Sequence, residues 1–72
     1  MKLYINGQSF PLTKNGNTLE QAINQYMDSQ NKSLDLSFAV ALNGNFISKD
    51  DYAQTKLNDG DSIDVLFPIQ GG

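Results

Sequence analysis

The sequence contains no cysteine and no histidine. The first absence rules out a disulfide framework, a thiolate metal site and a thiol nucleophile. The second removes the side chain whose ordinary pKa lies nearest neutrality, and with it the commonest general acid or base and the commonest metal ligand. Arginine is missing too, so five lysines face eight carboxylates and the net charge is −3. Phosphate neutralisation needs clustered cations, which excludes nucleic acid as a partner. No apolar run approaches the ~20 residues of a membrane span, and Met1-Lys2-Leu3 leads into strand-like sequence without a signal-peptide apolar region. The expected chain is soluble and cytoplasmic, with no membrane association. Its 72 residues make one domain that buries only about 60% of its unfolded surface. An internal ligand pocket of about 300 Å³ would hollow out so small a core. Function is therefore expected on the surface or at a terminus, and no residue is assigned a catalytic or metal-binding role.

What is present reads as an ordered series of elements. Lys2 to Asn6 has strand character, Gly7 stands where a turn needs positive φ, and Ser9-Phe10-Pro11-Leu12 forms a second strand. Pro11 cannot donate a ladder hydrogen bond, which places this strand at a sheet edge. After the turn Asn15-Gly16-Asn17, the segment Thr18-Leu19-Glu20-Gln21 fits a capping box. Leu19, Ala22, Ile23, Tyr26 and Met27 then recur at helical spacing and form one apolar stripe. The polar run Ser29 to Ser33 has nothing to bury and ends the helix in a loop. Ser37 to Leu42 is apolar on both faces, as in an interior strand. Asn43-Gly44 signals a type I′ hairpin that returns as Asn45-Phe46-Ile47. Ser48 to Tyr52 reads as a capped helical turn that parks Tyr52 on the core. Asn58-Asp59-Gly60-Asp61 is a turn. Ser62 to Phe67 is the last strand, with Ile63, Val65 and Phe67 on one face and Asp64 and Leu66 on the other. The order is that of an α+β, β-grasp (ubiquitin-like) fold: a mixed sheet of about five strands with one main helix packed on one face.

Pro68 stops the last ladder, and Ile69, Gln70, Gly71 and Gly72 follow. A terminal glycine pair arises by chance in about one chain in two hundred at average composition. Here the pair continues directly from a strand, as a side-chain-poor arm reaching up to about 17 Å for five extended residues. Residues 1–67 are expected to form the folded domain and 68–72 a flexible tail. Glycines let such an arm pass through a channel too narrow for any Cβ. Its reactive group is the α-carboxylate of Gly72, ionised at neutral pH with an ordinary pKa near 3.5. A carboxylate is a poor electrophile and needs activation, for which adenylation by ATP is the chemical route. No Gly-rich loop with Lys and Ser/Thr is present to bind ATP, so the catalyst must be a partner protein.

Val40-Ala41-Leu42-Asn43-Gly44, then Ile47, Tyr52, Leu57-Asn58-Asp59-Gly60-Asp61, Ile63 and Pro68-Ile69-Gln70-Gly71-Gly72 together resemble the ThiS family of thiamine-pathway sulfur carriers. The likeness is close over about the last half of the chain. The first half agrees in element order and in the helix stripe. Ser48 departs from the proline usual near that position in the family, and the connection from Gln30 to Leu36 is longer than usual. The resemblance implies that Gly72 is adenylated by a ThiF-like enzyme that uses ATP and is then converted to a thiocarboxylate with sulfur from a donor protein. A ThiG-like thiazole synthase would receive the sulfur. On this reading the chain is a carrier rather than an enzyme, binds no cofactor itself and is monomeric alone.

Other readings share the fold. A MoaD-like carrier serving molybdopterin synthesis has the same Gly-Gly end, although its tails commonly carry aromatic or paired-proline residues before the glycines. A ubiquitin-like conjugator would use the same activation to acylate a lysine, and an adaptor would leave the tail inert. Asp59 and Asp61 flanking Gly60 lack the spacing of a calcium loop and read as a solvated turn. Asp50-Asp51 suits the first turn of a short helix. Leu66, pointing away from the helix-covered face, and Phe46 are the candidates for a partner-binding patch.

Overall fold

The computed structural model describes residues 1–12, 16–33 and 37–68. The chain opens with β1 (Lys2–Ile5) and β2 (Gln8–Pro11), continues through α1 (Leu19–Ser29), and forms the hairpin β3 (Ala39–Leu42) and β4 (Asn45–Ile47). A 3-10 helix (Lys49–Gln54) and β5 (Ser62–Leu66) complete it. The five strands make one sheet in the order β2-β1-β5-β3-β4. β5 lies in the middle, parallel to β1 and antiparallel to β3. β2 is an edge strand, as the proline at position 11 demands.

Both hairpins turn on an Asn-Gly pair in left-handed conformation: φ is 53° and 81° at Asn6-Gly7, and 50° and 87° at Asn43-Gly44. Positive φ at both central residues gives the type I′ turn, whose twist matches that of the strands. At the first hairpin this moves the end of β1 and both ends of β2 by one from the expectation. Asn6 belongs to the turn rather than to β1, Ile5 pairs with Gln8, and Lys2 pairs with Pro11. β3 starts at Ala39 rather than Ser37 because its partner β5 ends at Leu66, opposite Ala39. β5 likewise stops one residue short of Phe67.

The two turn asparagines also reach β5 through their side chains. Asn6 Oδ1 accepts the Val65 amide at 2.8 Å, and Asn6 Nδ2 donates to the Tyr26 hydroxyl at 3.2 Å. Asn43 Oδ1 accepts the Ser62 amide at 3.0 Å, and Asn43 Nδ2 donates to Asp61 Oδ1 at 3.1 Å. β1 has turned away at Asn6, so the Asn6 side chain stands in for the missing ladder partner of Val65.

The helix begins with the expected capping box, in which Thr18 Oγ1 accepts the Gln21 amide and Gln21 Oε1 accepts the Thr18 amide. A Cβ at Gly16 would stand 2.6 Å from Gln21 Oε1, so a side chain there would push Gln21 out of the capping box. The Leu19 amide, otherwise without an intrahelical partner, donates to Thr55 O at 2.8 Å. The helix closes in a Schellman arrangement: Asn31 takes φ 55°, its amide donates to Asp28 O, and the Lys32 amide donates to Met27 O. Leu19, Ala22, Ile23 and Met27 are buried, while Tyr26 is half-buried and meets Phe10 edge-on at a centroid distance of 6.0 Å. Leu3, Ile5, Val40, Ile63 and Val65 complete the core from the sheet side.

The segment after β4 forms a 3-10 helix through Gln54, longer than the single turn expected, and the Ser48 side chain makes no capping hydrogen bond. Its start is fixed by the backbone instead, with the Asp51 amide on Ser48 O at 2.8 Å. Tyr52 packs into the core, and burial pushes its phenol above the ordinary 10.0. The Asn58–Asp61 turn has φ 92° at Gly60, and Asp61 Oδ2 accepts the Asn58 amide at 2.7 Å. Asn15 of the expected turn and residues 34–36 of the helix-to-strand connection lie outside the described residues.

Replacing Asn6 by alanine removes two hydrogen bonds and puts a Cβ residue without local compensation at positive φ. It should cost about 2 kcal/mol and lower the melting temperature by about 10 °C in a domain of this size. Differential scanning calorimetry against Asn43→Ala, expected to act in the same direction, checks this.

Candidate functional site

The sheet has two unlike faces. The helix face is sealed by the core. On the other face, register places Tyr4 beside Ser62, then Phe46, Ala41 and Asp64 in one row across β4, β3 and β5, and then Ala39 beside Leu66. Phe46 is 69% exposed, Leu66 49% and Tyr4 37%. The two residues picked out in the sequence for a partner patch are therefore brought to one face. Ala39 and Ala41, which went unmarked there, lie between them and keep that stretch low. Alternation alone assigns the alanines to this face. Their role as the floor between two exposed hydrophobes depends on strand pairing, which a single strand does not reveal.

At the end of β5 the two faces diverge. Leu66 points to the open face and Phe67 to the helix side, where its ring lies 6.0 Å from that of Phe38. Lys32 Nζ stands 4.9 Å above the Phe67 ring centroid, within range of a cation–π attraction. The polar run Ser29 to Ser33 ends the helix in an exposed loop as expected, and Lys32 within it reaches back to the end of β5. The left-handed turn at Asn31 aims Lys32 at the last aromatic before the tail. Phe67 is thereby gripped from two sides, immediately before the exposed Pro68. A shallow groove of about 320 Å³ runs along Ser37, Phe38, Ala39, Leu66, Phe67 and Pro68. Of the expected tail, Pro68 falls at this groove, while Ile69, Gln70, Gly71 and Gly72 lie outside the described residues.

Elsewhere the surface offers little chemistry. A larger groove of about 560 Å³ separates α1 from the 3-10 helix, with Glu20, Asn24, Lys49 and Asp50 along it and Phe38 and Tyr52 among its apolar lining. Its charged groups are of mixed sign and converge on no common point. The Asp59 and Asp61 carboxylates are occupied by the Lys2 amide at 2.6 Å, the Asn58 amide and the Asn43 side chain. They close a turn. Among the described residues no three carboxylates, histidines or cysteines gather as a metal site would require, and no helix is long and apolar enough to cross a membrane.

A central strand runs out between a gripped aromatic and an open apolar face, on a five-stranded mixed sheet covered by one helix. This geometry defines a β-grasp protein. The model of the ThiS family matches residues 3–72. The chain belongs to the ThiS family. The fold is similar to the crystal structure of a thiamine biosynthesis protein (ThiS) from Geobacter metallireducens, with a TM-score of 0.70 at 21% identity over 100% of both chains. The solution structure of a thiamine biosynthesis protein from the same organism gives a TM-score of 0.64 at 23% identity, covering 100% of this chain and 88% of that one. No curated protein matches the sequence significantly.

If the open face is the docking surface, a charge in its apolar part should weaken docking without touching the core. Leu66→Asp and Phe46→Asp are each expected to leave the melting temperature within a few degrees of the parent and to weaken partner binding by about tenfold or more. Calorimetric titration of each variant into an adenylating partner reads this directly, and unchanged affinity for both would remove the face from the interface.

Proposed function

We propose that this chain is a sulfur carrier for thiazole formation in thiamine biosynthesis, with the α-carboxylate of Gly72 as the group that is loaded. The observation that carries the reading is the family match through residue 72, on a fold whose central strand leads directly into that segment. The rest is chemistry. A ThiF-like partner transfers AMP from ATP to the Gly72 carboxylate and releases pyrophosphate. A sulfide-level nucleophile from a donor protein then attacks the acyl carbon, forming the C–S bond as the C–O bond to AMP breaks. The product is a thiocarboxylate, ionised at neutral pH and polarizable at sulfur, and so a good nucleophile toward a ThiG-like acceptor.

Each structural feature supports a carrier of this kind. The chain itself has no histidine or cysteine with which to catalyse these steps. The tail need only be presented, and a fixed Phe67 sets its origin while glycines leave the end free of side chains. The open face then supplies the binding energy that holds the arm in a partner's site.

The test is intact-mass spectrometry of the chain after incubation with ATP, a sulfur donor and the adenylating enzyme. The expected product is heavier by one oxygen-to-sulfur exchange localised to Gly72, and a chain ending at Gln70 should show no change. A covalent adduct through a lysine of another protein, in place of the thiocarboxylate, would identify a conjugator instead.

A further inference from the structure

By register, the strands of the open face carry two charged side chains among the described residues, Lys2 and Asp64. Lys2 is at the end remote from the tail, its ammonium 5.6 Å from the Tyr4 ring centroid. Asp64 is in the middle of the apolar part. Ala41 is its direct neighbour on β3, Phe46 lies beyond Ala41 on β4, and Ala39 and Leu66 form the next row toward the tail. Asp64 is half-buried, and among the described residues neither a cation nor a hydrogen-bond donor engages its carboxylate. Asp59 and Asp61, by contrast, accept hydrogen bonds from amides or from Asn43.

Any surface that covers both Phe46 and Leu66 covers Asp64 as well. A carboxylate taken from water without a partner is strongly unfavourable, so a purely apolar cover cannot seal this face. A second copy of the chain fits poorly, because two-fold pairing centred here sets one Asp64 against the other and adds to the repulsion of two chains of net charge −3. The missing complement is a cation.

We propose that the adenylating partner docks on this face with a basic side chain, of arginine type, paired to Asp64 inside a ring of apolar contacts to Phe46, Ala39 and Leu66. The inference rests on the carrier reading above and deepens it by assigning the point that orients the docked carrier. A guanidinium pairs with a carboxylate through two parallel hydrogen bonds, which fixes rotation as well as position. Asp64 is on the strand that leads to the tail, two residues before Leu66 and four before Pro68. Aligning it aligns the arm. Asp64 is thus a positioning residue, remote from the reacting carboxyl group.

Calorimetric titration of the full-length chain into the adenylating enzyme, at low and high salt and alongside thermal melts, tests this. Asp64→Asn should weaken binding by about tenfold or more and flatten its salt dependence, Asp64→Lys should weaken it further, and Asp64→Glu should stay within about threefold of the parent. Melting temperatures of the Asn and Glu variants should match the parent. Binding of Asp64→Asn and Asp64→Lys within about twofold of the parent overturns the proposal, whatever Leu66→Asp does. The sulfur-for-oxygen mass gain is read in the same samples. If it persists while the Asp64 variants bind normally, only the docking inference falls; if the parent chain neither binds nor gains mass, the carrier reading falls with it.

Discussion

The central strand β5 depends on two asparagine side chains that come from the two hairpin turns. Asn43 takes the Ser62 amide at its start, and Asn6 takes the Val65 amide where β1 has already turned away. Each asparagine can do this only because it sits in the left-handed conformation of a type I′ turn, which aims its short side chain sideways at the neighbouring strand. Amides left without acceptors are costly, so Asn43 secures the first residue of β5 from the β3 side and Asn6 allows β5 to continue past the end of its parallel partner. Without Asn6 the strand would lose its support on the β1 side beyond Ile63.

That support matters because the two faces of β5 do different work. Ile63 and Val65 are buried under the helix, and Phe67 extends this side to Phe38 and Lys32. Asp64 and Leu66 stand on the other side with Ala39, Ala41 and Phe46. One strand therefore joins the core, the open face and the last described residues, Phe67 and Pro68. In the proposed carrier role the sheet and helix serve as a handle, which needs no internal cavity.

Much of this was legible in the sequence because the governing signals are local. The Asn43-Gly44 dipeptide, the Thr18–Gln21 capping box, the helix stripe and the proline at the edge strand each act within a few residues, and each appears where it was read. What escaped depends on pairs distant in sequence. Asn6 was read as strand because its role is set by Val65, 59 residues away. The run containing Lys32 was read only as a loop, because the contact of Lys32 with Phe67 depends on a residue at the far end of the chain. The Ser48 side chain leaves the 3-10 helix uncapped, and the backbone of Ser48 closes its first turn instead. Leu66 and Phe46 were picked out from alternation, but alternation cannot show that Asp64 stands between them with no partner among the described residues.

In the proposed role a partner activates the main-chain carboxyl of Gly72, and the sheet face serves only to hold the chain in place. ATP–pyrophosphate exchange by the adenylating enzyme, run with the full chain and with a chain ending at Gln70, measures this most directly. Exchange that requires the full chain and vanishes on removal of Gly71 and Gly72 is the expected result. Exchange that continues undiminished with the shortened chain would contradict it.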